Sequence, residues 1–386
     1  MRFIKADKLF SGEEFLATDT VLVINNQGLI QDITTADKVE ESVVEHFKGI
    51  ICPGFVNAHC HLELSHLQNV IKQQTGIVDF GIGIMKHRNE LALELQLEAM
   101  LLADKEMQRQ GIVAVGDISN TNNSIAVKKQ SALFYHTFIE LIALNPLRAN
   151  LVFTEGLNLV DEFQKNDLST SLAPHAPYSV SLELIKQITD YCKAHQQPTT
   201  IHNQESEAEN DFFKYKTGDY LRLYQTLNLP IDYFKASCKS SLQSVINSIN
   251  NEINTLLVHN TFSSKNDIEI AKQTHQQLFW CLCPNANLYI ENSLPNVSLL
   301  TDSNCTLTLG TDSLASNSQL SIIDEINCLL QHQPSISLEA LLKAATYNGA
   351  QFLGIANKFG TFGKNKNCGI NLIEGTFGKY SVKSLC

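Results

Sequence analysis

Val56-Asn57-Ala58-His59-Cys60-His61, arriving directly after Pro53-Gly54, decides how this 386-residue chain is read. An apolar run that closes on His-x-His is a strand whose last residues leave the sheet carrying two imidazoles. Side chains alternate along a strand with a period of two, so His59 and His61 point the same way. Two neutral imidazoles converging from one strand end are half of the ligand set of a divalent transition metal. The same pair in an unrelated turn carries no such meaning, so the rest of the chain has to decide.

Downstream, seven more apolar runs recur, at 111–117, 132–138, 171–175, 199–202, 255–259, 278–283 and 307–312. Helical patterns with apolar residues at i, i+3, i+4 spacing alternate with them, most clearly over 91–108, 181–194, 241–250 and 338–353. Eight strands alternating with helices predict an α/β fold, a (β/α)8 TIM barrel, over residues 51–354. The two chain ends have a different texture. Met1–Phe10, Thr20–Ile24 and Leu29–Ile33 are short alternating segments separated by turn formers such as Asn25-Asn26-Gln27-Gly28. Residues 359–386 place Gly360, Gly363, Gly369, Gly375 and Gly378 around short apolar pieces. The expectation is a small antiparallel unit, a composite β-sandwich domain built from 1–50 and 355–386.

Bulk composition narrows the partners. A hydrophobic content of 44% with 18% charged residues suits a soluble globular protein with a large core. A formal charge of -11 argues against nucleic acid or an anionic membrane surface as the main partner. The ten cysteines are scattered without the density of a disulfide scaffold, and Cys52, Cys281 and Cys283 sit in apolar runs where a buried thiol is expected. The N-terminal stretch lacks the pattern of a signal peptide, and no apolar run approaches the roughly 18 residues of a membrane helix. A reduced, cytoplasmic setting is the expectation. A homodimer is compatible with this composition, although no stripe of residues marks an interface.

Polar residues collect at the strand ends, where a barrel of this kind carries its chemistry. The first run ends in His59 and His61, the fourth in His175, the fifth in His202, the sixth in His259 and the eighth in Asp312. Singly, each has a simple structural explanation: a hydrogen-bonded histidine closing a strand, or an aspartate capping a helix. Together, five of eight strands ending in His or Asp point to a metal site.

The motifs Pro53–His61, Ala173-Pro174-His175-Ala176-Pro177-Tyr178, His202-Asn203-Gln204-Glu205, Val258-His259, Cys283-Pro284-Asn285-Ala286-Asn287 and Leu309-Gly310-Thr311-Asp312-Ser313 resemble, in this order, the amidohydrolase superfamily. More narrowly they are similar to its deaminase and chlorohydrolase branch, which includes adenosine-type, S-adenosylhomocysteine, guanine and aminodeoxyfutalosine deaminases. The resemblance covers essentially the whole chain. It implies that His59, His61, His202 and Asp312 bind one divalent ion, zinc or ferrous iron, and that Glu205 shuttles protons. It implies that His259 contacts the attacking water or the substrate, and that Asp312 also takes part in catalysis. Binuclear members carry a carboxylated lysine at the end of strand four, where this chain reads Ala173-Pro174-His175, so one metal is expected.

The chemistry is consistent with those roles. A bound divalent cation brings the pKa of water from 15.7 to about 7. Attack on an amidine carbon requires protonation of the ring nitrogen and then of the leaving amine, which a carboxyl group beside the metal can do. Glu205 can also be read as one member of the acidic run Glu205-Ser206-Glu207-Ala208-Glu209.

On the substrate side, the motif around His175 implies a substrate contact. Glu63 and His66 follow the metal strand and are candidates to face the pocket, with loop support as the alternative. Arg88 is a candidate partner for an anionic group on the substrate, or an exposed arginine on a helix face. His66-Leu67, Gly76-Ile77-Val78-Asp79-Phe80 and the Pro-His-Ala-Pro-Tyr-Ser run most resemble aminodeoxyfutalosine deaminase-like sequences. The expected activity is a metal-dependent aminohydrolase acting on an aminopurine-type nucleoside or related heterocycle. The alternatives are hydrolysis of a cyclic amide, as in imidazolonepropionase-like relatives, and a non-catalytic scaffold, against which the full ligand set argues.

Overall fold

The computed structural model describes residues 1–386. Four strands precede the Pro53-Gly54 turn: β1 (Arg2–Leu9), β2 (Thr20–Ile24), β3 (Ile30–Thr35) and β4 (Val44–Pro53). Eight central strands follow: β5 (Phe55–Cys60), β6 (Ile112–Ser119), β7 (Phe134–Leu141), β8 (Ser169–Pro174), β9 (Thr199–Asn203), β10 (Thr255–His259), β11 (Leu278–Leu282) and β12 (Thr306–Leu309). The chain closes with β13 (Ile370–Thr376) and β14 (Lys379–Ser384). All eight apolar runs predicted as strands are strands.

The central strands lie in two four-stranded parallel sheets, β5-β6-β7-β8 and β9-β10-β11-β12. Helices alternate with them, giving a TIM-barrel-like α/β fold. Sparse hydrogen bonds bridge the two sheets at both seams. The amides of Thr311 and Asp312 donate to the His59 carbonyl at 3.0 and 3.1 Å, and the His202 amide donates to the His175 carbonyl at 2.9 Å. Strands covered by helices on their outer side bury almost every residue, and β5, β9, β10 and β11 are buried throughout.

Both chain ends contribute to one six-stranded sheet of order β14-β13-β4-β1-β2-β3. It differs from the antiparallel expectation at one seam, because β1 runs parallel to β4. Strand β4 had no place in the sequence reading; its first six residues, Val44–Gly49, occupy only partly buried and exposed positions. Parallel pairing has no hairpin turn to announce it, and the segment between β1 and β4 is taken up by β2 and β3. β4 also pairs with β13, Ile51 opposite Leu372, which ties the two ends together. Gly54 then passes the chain to β5 where a Cβ would lie 2.3 Å from Val113, so glycine is required by close approach. Ile4, Leu22, Ile24, Ile51, Ile370 and Leu372 form a separate apolar cluster in this sheet.

The predicted helices appear at 93–109 and 182–194, the latter capped by Ser181 Oγ, which accepts from the Leu184 amide. The 241–250 pattern gives a helix only over 241–245, followed by a 3-10 turn. The 338–353 pattern is interrupted by a π-helical turn at 344–348, where the Asn348 side chain donates to the Leu307 carbonyl. Cys52, Cys281 and Cys283 are fully buried. No helix is long and apolar enough to cross a membrane.

Candidate active site

The carboxyl ends of β5, β9, β10 and β12 converge on one point. His61 Nε2 lies 3.2 Å from His59 Nε2 and 3.3 Å from His202 Nε2. Asp312 Oδ1 lies 3.3 Å from His61 Nε2 and 3.5 Å from His59 Nε2. His259 joins the same buried group, its ligand atom within 4.8 Å of those of His59, His202 and Asp312. Glu205 Oε1 lies 3.6 Å from His259 Nε2.

The backbone beneath holds this arrangement tightly. Asn57 accepts from the Thr311 amide at 3.1 Å and donates to Thr311 Oγ1 at 2.8 Å, clamping the turn that carries Asp312 to the strand that carries His59. Gly310 lets that turn approach, since a Cβ there would come within 2.8 Å of the His59 Cβ. Asp312 and His259 adopt left-handed backbone angles, φ 55° and 76°, conformations that non-glycine residues keep only when their surroundings enforce them. Ser316 donates to Asp312 Oδ2. The amides of Gln204 and Glu205 both donate to the Glu209 carboxylate, which fixes the turn after β9. Behind His61, the Leu62 amide donates to Asp117 at 2.8 Å, and Asp117 forms a fully buried ion pair with Lys128 at 2.6 Å.

Burial sets the protonation states. Burial pushes the Glu205 carboxyl well above its usual range, with Asp312, Glu209 and Glu291 adding to the effect. Burial lowers His259 to about 3 and holds His61 and His202 below the usual imidazole range. For Asp312, burial acts upward, but the His59 hydrogen bond and the neighbouring His61 and His259 hold the carboxyl well below its usual range.

This donor set fits a single divalent cation. His202 Nδ1 donates to the His175 carbonyl at 2.8 Å, which leaves Nε2 as the lone-pair nitrogen facing the cluster. Three imidazole nitrogens and a carboxylate oxygen packed this closely, with His59 Nδ1 buried and unpartnered, form a His/Asp metal-binding site.

Above the cluster opens a cavity of about 440 Å³. His61, His175, His202, Glu205, His259 and Asp312 form its floor, and Arg88 lies on its wall. Glu63 does not line the cavity. Its carboxylate is buried and accepts from the Asn120 amide at 3.0 Å and Thr121 Oγ1 at 2.7 Å, pinning the loop after β6. His66 is likewise off the cavity, its Nε2 3.0 Å from the Arg88 carbonyl. Both therefore serve the loops rather than the pocket. Among the cavity residues that the sequence reading did not single out are the polar groups Asn120, Glu140 and Arg148. Glu140 sits in a strand that extends to Leu141, past the run assigned from the sequence, and a lone carboxylate inside Ile139-Glu140-Leu141 was the available signal.

With the geometry in place, comparison with known proteins assigns the family. A model of the amidohydrolase family matches residues 50–383. The chain belongs to the amidohydrolase family. Within it, the chain is similar to adenosine deaminase from Helicobacter pylori, 26% identical over 316 residues that cover 80% of this chain and 75% of the relative. It is similar to aminodeoxyfutalosine deaminase from a Nitratiruptor species, 24% identical over 366 residues that cover 90% of this chain and 85% of the relative. Among solved structures, Helicobacter pylori aminofutalosine deaminase in complex with methylthio-coformycin has a TM-score of 0.80 at 21% identity, covering 97% of this chain and 93% of that one.

Proposed function

We propose that this amidohydrolase is a metal-dependent deaminase that hydrolyses the exocyclic amine of an aminopurine nucleoside or a related heterocycle, releasing ammonia. The observation that carries the reading is a buried Glu205, its carboxyl pushed upward by burial, beside a His/Asp metal site on the floor of a largely apolar cavity. The deaminase relatives support the reaction class.

His59, His61, His202 and Asp312 are the ligands in this reading, with zinc or ferrous iron suiting three imidazoles and a carboxylate. When bound, the ion supplies the Lewis acidity that makes water a nucleophile near neutral pH. Glu205 gives its proton to the ring nitrogen next to the reacting carbon, takes one from the attacking water and passes it to the departing amine. Water supplies the oxygen, the C–N bond to the amine breaks as the C=O forms, ammonia leaves, and the remaining proton of the water returns to Glu205 by way of Asp312. Asp312, ionised, accepts a hydrogen bond or proton from the same water. His259 lies within reach of Glu205 and orients the water or the substrate. His175 lines the floor as a substrate contact. The apolar upper wall, with Arg88 and Arg148 on it, suits a nucleoside whose substituent ends in an anion, aminodeoxyfutalosine-like being the leading substrate class.

In the same reading, residues 51–354 form one (β/α)8 barrel whose halves join at the two hydrogen-bonded seams. The end sheet from 1–50 and 355–386 folds over on itself as a β-sandwich domain.

The test is ammonia release by zinc- or iron-loaded protein against aminopurines, their nucleosides and aminodeoxyfutalosine. Release that stops with a chelator supports the reading. Metal-dependent ring opening without ammonia would replace it with cyclic-amide hydrolysis.

A further inference from the structure

Glu140 is the penultimate residue of the third central strand, lines the cavity and is only 7% exposed. Its Oε2 accepts from Asn120 Nδ2 at 3.0 Å, and the same amide donates to the Glu140 carbonyl at 3.1 Å, so the side chain is held in place. Its Oε1 has no donor in the chain. The nearest candidate is His202 Nδ1 at 3.7 Å, whose one proton already goes to the His175 carbonyl at 2.8 Å. Arg88 does not neutralise it, since its guanidinium reaches only Asn120 Oδ1, at 3.5 Å. With no cation beside it and an oxygen that no donor of the chain satisfies, this carboxylate on the cavity lining is free to accept a hydrogen bond from a bound molecule. Here the free oxygen opens onto the cavity, so the missing donor comes from a ligand.

The position of Glu140 selects the donor. The reacting amine has to sit at the Nε2 side of His202, where the metal ligands converge. Glu140 lies at the Nδ1 side, its Oε1 3.7 Å from His202 Nδ1, so in the nucleoside reading it faces a part of the substrate away from the reacting amine. We propose that Glu140 is the subsite that accepts hydroxyl protons from the glycosyl part of the substrate, and that it sets a preference for ribosyl over deoxygenated substrates. This inference rests on the nucleoside-deaminase reading above.

The test compares kcat/KM for adenosine and 5′-deoxy-5′-methylthioadenosine, each beside its 2′,3′-dideoxy counterpart, for metal-loaded wild-type protein, Glu140→Gln and Glu140→Ala. Metal content is measured in parallel. The wild-type protein should favour the hydroxylated partner by on the order of 10- to 100-fold, the size expected for a hydrogen bond to a charged group. Both variants should lose most of that ratio while keeping their metal. Glu140→Gln preserves the shape and the Asn120 contact, so it decides the matter if Glu140→Ala fails to fold. A parallel loss on hydroxylated and dideoxy substrates, or loss of metal, would overturn the assignment and make Glu140 a support for His202. A wild-type ratio near one, with ammonia released from both partners, would overturn it while leaving the deaminase reading intact. No ammonia from any of the four would bring down that reading and this assignment together.

Discussion

The floor and the upper wall of the cavity are built in opposite ways. The floor comes from strand ends, and several of its groups are held by a backbone or side-chain bond behind them: Asn57 on Thr311, the His175 carbonyl on His202, Glu209 on the Glu205 turn. The upper wall comes from helices and loops, with Ile84, Met85, Ile142, Arg148, Leu223 and Leu229 among its members, several of them exposed. In the deaminase reading, the floor carries the chemistry common to the reaction class, and rigid strand ends hold it to the precision that chemistry needs. In the same reading the wall meets the variable part of the substrate, and surface positions there can change at little cost to the fold.

If this contrast is right, substitutions in the floor should abolish function and substitutions in the wall should only tune it. His202→Ala has the largest expected effect: metal is lost at chelator concentrations that the wild-type protein withstands, and ammonia release falls by at least ~10³-fold. Metal analysis of the purified variant checks it. Glu205→Gln should keep its metal and lose about 10²- to 10⁴-fold in turnover. Near-normal turnover in that variant would remove Glu205 from proton transfer. Lys128→Met tests the support below the floor. It leaves Asp117 ionised and unpaired in a fully buried position, and the unfolding free energy should drop by roughly 3–5 kcal/mol, read from denaturant midpoints. On the wall, Arg88→Ala should raise KM for anionic nucleosides by about tenfold with a small change in kcat, the size of one exposed charge contact. An Arg88→Ala effect as large as that of Glu205→Gln would erase the distinction between the two regions.

The smallest effect concerns pH. Glu325 supports the floor by accepting from Asn317 Nδ2 and the Asn285 amide, and burial pushes its carboxyl up to about 8. The unfolded chain ionises this group near 4.5, so the folded state holds the extra proton between those values. Its contribution to stability is therefore complete at pH 4 and declines as pH rises to 8, by about 1 kcal/mol from pH 6 to 7. Glu325→Gln should flatten that slope in urea titrations at the two pH values.

The same contrast explains what could be read from the sequence. Strand ends announce themselves, because an apolar run closing on His or Asp is a local pattern, and all eight apolar runs, five of them closing in this way, became strands. The structure brings His59, His61, His202, Glu205, His259 and Asp312 together at those ends. The wall left no comparable trace. Glu63 and His66 lie close to the metal strand in sequence, but the loop they enter turns them onto Thr121 and the Arg88 carbonyl. Arg148 and Asn120 reach the cavity only through the path of their loops. The parallel partnership of β1 with β4 was hidden for a similar reason, since a long-range pairing leaves no turn between its strands.

The most direct test of the central claim is a titration of metal-free protein with zinc while ammonia release from an aminopurine nucleoside is followed. The account predicts no release at the start and a linear rise that breaks at one equivalent. Release from the metal-free protein, or a rise that continues to two equivalents, would contradict a single-ion centre built from His59, His61, His202 and Asp312.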